Sequence, residues 1–193
     1  MLMNYNSKLG RNIFSFSLPT TTCSEYKTKA CDKYCYAKKG HFYYPQVKQS
    51  LERNLVETKD PNFVHDTIKY IRENYIRYVR IHASGEFYSV EYYDKWKQIA
   101  QECHNTKFLA YTRNTTIDFS IKPSNLIIYF SVDNTTKNIN STLKHKAYVI
   151  NTKQVIKHMQ KVPFKINARF CDSKCFKCKA CFADRLNIAF KKH

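Results

Sequence analysis

Glycine is scarce in this chain, with three in 193 residues, and proline adds only five. So few backbone breakers exclude a collagenous, low-complexity or linker-rich protein. Acidic residues are also few, 15 against 33 Lys and Arg, which leaves a formal charge of +18 without any single basic tail to account for it. No apolar run approaches the roughly 20 residues that a membrane helix needs, because the strongest, residues 126–132, is short and carries tyrosine and serine. The first ten residues are polar and lack the apolar stretch of a secretory signal, so a cytoplasmic location away from membranes is expected.

What is abundant is aromatic and sulfur chemistry: fifteen tyrosines, thirteen phenylalanines and eight cysteines. With 43% hydrophobic residues, the length suits one domain with a substantial core. We expect a single domain over 1–193, in which residues 1–40 form a strand and first cysteine loop, 41–165 a βα core, and 166–193 a cysteine cluster and basic tail.

Seven of the eight cysteines fall into two groups. Cys23, Cys31 and Cys35 follow Cys-x7-Cys-x3-Cys, and Cys171, Cys175, Cys178 and Cys181 lie within eleven residues. In a cytosolic chain such groups read as metal ligands before they read as disulfides. Tight x2 and x3 steps favour an iron-sulfur cluster, of the four-iron type, over the separated knuckles of structural zinc, although zinc remains an alternative for the second group. Three thiolates leave a coordination position open; four close the site. His41 is close enough in sequence to be a fourth ligand to the first group, and His82 ends a strand where it could face the same mouth. Cys103 stands alone in a helical pattern and reads as core.

The periodicity alternates strand and helix. Strands are expected at 12–18, 77–83, 107–112, 126–132, 147–150 and 164–170. Helices are expected at 44–58, from an Asp60-Pro61 start to about 75, at 90–102 behind a Ser89 cap, and at 152–160. The order is βα throughout, so the fold class is α/β with a parallel sheet and helical crossovers. Ligands of such sheets collect at the carboxyl ends of the strands. Four polar groups lie there: 20–35, Ser84-Gly85-Glu86, Thr112-Arg113-Asn114, and Ser131 with Asp133. All four are expected to line one mouth.

These landmarks, in this order, resemble the radical S-adenosylmethionine superfamily. The resemblance implies a partial (β/α) barrel whose three-cysteine loop after strand one holds an open four-iron cluster. Ser84-Gly85-Glu86 is similar to that superfamily's motif for the methionine amine, and Ser131-Val132-Asp133 to its ribose-binding segment. The resemblance thus implies cofactor contacts from Ser84, Gly85, Glu86, Thr112, Asn114, Ser131 and Asp133, and substrate contacts or relays from Tyr88, Arg113 and Arg169. The loop departs from the superfamily's Cys-x3-Cys-x2-Cys, since Lys38 stands where a third cysteine belongs and Cys23 would replace it. Across a longer stretch, about residues 8–182, the joint pattern resembles the gene product 88-like family of small phage and plasmid proteins.

Three functions follow as expectations. The first is a minimal radical-type enzyme acting on a nucleotide or nucleic acid with S-adenosylmethionine. The second is a metal-stabilised protein that binds nucleic acid non-specifically through its positive charge, with tyrosines as stacking faces. The third is an interaction protein engaging a host complex.

Overall fold

In this computed structural model, residues 9–150, 168–171 and 173–191 are described. They form one α/β domain built on a seven-stranded sheet in the order β1-β2-β3-β4-β5-β7-β6, every pair parallel. The strands are β1 (Phe14–Phe16), β2 (Tyr78–Ile81), β3 (Lys107–Thr112), β4 (Leu126–Val132), β5 (His145–Ile150), β6 (Ala168–Phe170) and β7 (Asn187–Lys191). The helices are α1 (Lys29–Tyr34), α2 (Pro45–Glu57), α3 (Phe63–Glu73), α4 (Val90–Glu102) and the single turn α5 (Cys175–Cys178).

The parallel sheet agrees with the βα reading, but the alternation is incomplete: the connections from β3 to β4 (113–125) and from β4 to β5 (133–144) carry no helix. Strands β3 and β4 have the expected bounds, because a central parallel strand is covered on both faces and reads as a continuous apolar run. Successive residues there point into two different cores. Phe108, Ala110, Leu126, Ile128 and Phe130 join α3 and α4 in the larger one. Leu109, Ile127 and Tyr129 face the other side, where they meet Ala147, Ile188 and Phe182. Trp96 of α4 anchors the larger core, with its ring edge-on to Phe16 at 5.5 Å and to Phe63 at 5.8 Å. Such aromatic pairs contribute about 0.5–1.5 kcal/mol each beyond the area they bury.

Helix α4 begins where the sequence indicates, the Ser89 hydroxyl accepting the Tyr92 N–H at 3.2 Å. Helix α3 begins later than expected: its N-cap is Asn62, and Asp60 instead accepts the Asn62 N–H at 2.7 Å in a turn of its own. The chief correction is β7. Residues 187–191 are not a basic tail but an interior strand, paired with β5 on one side and β6 on the other. The helix expected at 152–160 and the start of the strand expected at 164–170 lie outside the described residues.

Helices α3 and α4 cover one face of the sheet, so the first cysteine loop and the C-terminal cysteine segment are left to build on the other.

Candidate functional site

A cavity of about 980 Å3 lies over that second face and the carboxyl ends of β1 to β4. All seven clustered cysteines line it. The two groups, at opposite ends of the sequence, share one space.

The first group arrives on a folded-back loop. After β1, a 3-10 turn (Thr20–Cys23) leads into α1, which carries Cys31 and is followed by Cys35. Thr28 caps α1 by accepting the Cys31 N–H at 3.0 Å, and its hydroxyl donates to Asp133 Oδ2 at 2.5 Å. The Ala30 N–H donates to Thr135 Oγ1 at 3.0 Å. Both contacts pin the cysteine helix to the end of β4. Asp133 is also clamped by Arg113, 2.9 Å from Nη2, with both side chains nearly buried. Burial alone would raise the Asp133 carboxyl, but the hydrogen bonds from Thr28 and Thr135 and the Arg113 charge hold it below its ordinary range.

Glu86 is equally engaged. Its carboxylate accepts the Thr112 hydroxyl at 2.6 Å and the N–H groups of Phe87 and Arg113 at 2.8 and 2.7 Å. Burial still pushes its pKa up to about 7. Gly85, at φ +93°, lets the strand end pass Leu18: a Cβ there would lie 2.5 Å from Leu18 Cβ. Two hydrogen bonds join that crossing, Leu18 N–H to the Ser84 carbonyl at 2.8 Å and the Ser84 hydroxyl to the Leu18 carbonyl at 2.9 Å.

Three of the clustered thiols, Cys23, Cys31 and Cys181, are pushed above their ordinary range. Burial first, then Glu86 and the neighbouring Cys31 and Cys35, push Cys23 up to about 12. Cys31 and Cys181 are raised, chiefly by burial, against the opposing influence of Arg113 and of Tyr111 and Arg80 respectively. Crowded thiols of this kind ionise together only when a cation compensates them. Among the described residues, no group of three or more His, Cys, Asp or Glu side chains is already drawn together as a metal-ligand set. The donors suit a thiophilic metal and share one cavity; gathering into a ligand set would accompany metal binding.

Residues 1–192 match the family model described as Gene product 88. The chain belongs to the Gene product 88 family. Two Gene 88 proteins, from Mycobacterium phages D29 and L5, are each 28% identical to it over 192 residues, covering 84% of this chain and 79% of theirs. No solved structure matches.

In this Gene product 88 family member, Ser84, Gly85, Glu86, Arg113, Ser131 and Asp133 line the cavity beside the cysteines, as do His41 and His82. Thr112 and Asn114 do not. Thr112 stands behind Glu86, and Asn114 is fully buried, tied to the Phe87 carbonyl and to the 116–117 backbone. Tyr88 also lies elsewhere, stacked on Tyr92 at 4.7 Å with its hydroxyl 2.7 Å from Thr58 Oγ1. Arg169 is exposed on β6 and does not line the cavity. Cys103 is buried at the end of α4, in agreement with its core assignment.

The sequence reading missed Arg80 and Tyr111. Both point from strand interiors into the cavity, the guanidinium 3.9 Å from the Tyr111 ring centroid. The available signal was a charged residue between Val79 and Ile81, both fully buried.

Proposed function

We propose that this protein is an iron-sulfur protein in which Cys23, Cys31 and Cys35 hold a four-iron cluster with one iron free of protein ligand. Cys171, Cys175, Cys178 and Cys181 hold a second centre, iron-sulfur or zinc. The observation that carries the reading is the shared cavity: seven cysteines from two distant segments face one space at the carboxyl edge of a parallel sheet. An open four-iron cluster would supply a single electron, as the likeness to radical S-adenosylmethionine enzymes suggests for this loop. The chain's own residues form the surroundings: Ser84, Gly85 and Glu86 build one wall, Ser131 and Asp133 another, and Arg113 ties the two together. Thr112 and Asn114 serve by holding this frame from behind.

Anaerobic expression with iron supplied, followed by iron, sulfide and zinc analysis, tests the reading. Two four-iron clusters require about eight irons per chain. Stoichiometric zinc without acid-labile sulfide overturns it. The reduced protein is expected to cleave S-adenosylmethionine slowly, and Cys35→Ala to abolish this while the second centre stays loaded. Cys178→Ala lowers soluble yield instead, since metal binding there is folding free energy.

The net charge of +18 favours a second reading, a metal-stabilised protein that binds nucleic acid electrostatically. Duplex affinity should then fall with salt at a log-log slope of about 0.9 per phosphate contacted. Affinity independent of salt removes this reading.

A further inference from the structure

Charges inside the cavity are unevenly compensated. The two acidic side chains lining it are already used: Asp133 pairs with Arg113 at 2.9 Å, and Glu86 accepts its three donors from Thr112, Phe87 and Arg113. Lys27 pairs with Asp32 at 3.2 Å. Arg80 has no carboxylate partner among the described residues. Its guanidinium lies over the Tyr111 ring, 3.9 Å from the centroid, with one long hydrogen bond, 3.4 Å from Nε to the His82 carbonyl. Tyr111 is itself held, its ring edge-on to Phe190 at 5.3 Å and tilted against Tyr129 at 5.5 Å. Arg80 is therefore a pre-positioned cation, facing a space that Tyr36, Phe42, Tyr111 and Phe190 also line.

We infer that Arg80 anchors the anionic group of a small aromatic or heteroaromatic substrate, a carboxylate or phosphate whose flat body packs on the cavity's aromatic side chains. The chemistry is specific. A guanidinium is planar and offers paired N–H donors that match carboxylate and phosphate oxygens, and contact with the Tyr111 ring limits where those donors can point. A cavity of about 980 Å3 is ample for such a molecule. The inference deepens the proposed function, because it takes the same cavity as the functional site. It does not depend on which metal the cysteines hold.

The test uses the protein as purified anaerobically, with its iron, sulfide and zinc measured in the same sample. Two matched pairs are titrated by calorimetry: AMP against adenosine for phosphate, and indole-3-acetate against indole-3-acetamide for carboxylate. At least one anion is expected to bind ten-fold or more tightly than its neutral counterpart, and the pair that does so identifies the group. Arg80→Met should abolish that preference, and Arg80→Lys should retain part of it. A charge-assisted hydrogen bond contributes about 1.5–3 kcal/mol, which corresponds to roughly 10- to 150-fold in affinity.

If neither anion outbinds its neutral partner on the wild-type protein, the inference is overturned, and that comparison needs no variant to fold. It is equally overturned if folded Arg80→Met keeps the preference. Loss of metal from Arg80→Met, with no anion preference in the wild type, would mean that Arg80 only balances thiolate charge. The metal analysis keeps the two readings apart: anion preference in iron-free protein sinks the cluster and supports this site, and iron-loaded protein without preference does the reverse.

Discussion

His82 makes stability depend on pH in a calculable way. It is a buried residue with a left-handed backbone, φ +60°; Nε2 lies 2.9 Å from the Tyr92 hydroxyl, and its Nδ1 has no hydrogen-bond partner among the described residues. Burial, with a smaller contribution from the Arg80 charge, lowers its pKa from 6.5 to about 3. In the unfolded chain the ring titrates near 6.5, so below that pH the unfolded state binds a proton that the folded state refuses. The sign is therefore destabilising on acidification: the contribution is complete above about pH 7 and lost progressively as pH falls toward 3. At pH 5 the difference corresponds to about 1.5 pH units of unfolded-state protonation, or about 2 kcal/mol. His82→Asn tolerates the same backbone region and removes the titration. Urea unfolding of both proteins at pH 7.5 and pH 5 isolates the effect, because His145, 3.3 Å from Asp184, is present in both. Wild type should lose about 2 kcal/mol more than His82→Asn over this interval, roughly 1 M in urea midpoint. Equal pH dependence in the two proteins would refute the reasoning.

Gly85→Ala places a Cβ 2.5 Å from Leu18 Cβ at φ +93°, and should cost about 2–4 kcal/mol, lowering Tm by roughly 5–15 °C in a thermal melt. Asp133→Asn leaves Arg113 without its nearly buried partner and weakens the Thr28 anchor of α1. A loss of about 3–5 kcal/mol in chemical unfolding is expected, with faster amide exchange in 29–34; unchanged exchange there would show that Asp133 does not hold the cysteine helix. Cys103→Ala should cost about 1 kcal/mol and leave metal content unchanged, whereas Cys35→Ala should lower it; equal metal loss in both would contradict the division into core and ligand cysteines.

The parts legible in the sequence were those in which one local rule decides the outcome. Doubly buried strands such as 126–132 read as continuous apolar runs, and the Ser89 cap marks the start of α4. Strand β7 was hidden because its five residues follow a dense cysteine group and are too short to show a period. The polar strand ends were found, but not which of their side chains face the cavity: Thr112 and Arg113 are neighbours, yet one turns behind Glu86 and the other into the open space. That choice depends on the strand's exit geometry, which no spacing encodes. Convergence of the two cysteine groups depends on the strand order 5-7-6, a long-range property.

That strand order also dictates a sequence of assembly. Among the described residues, strand β6 joins the sheet only through β7, and the residues between them carry all four C-terminal cysteines. During synthesis, the segment bearing those cysteines has no sheet edge to settle on until residues 187–191 have emerged and docked beside β5. The wall that the second cysteine group contributes to the cavity is thus a late folding event, which among the described residues has nothing longer than the single turn α5 and a 3-10 turn to nucleate it. Until then the first cysteine loop lies open to solvent on that side, so any ligand that needs both walls of the cavity must wait for the last strand to arrive.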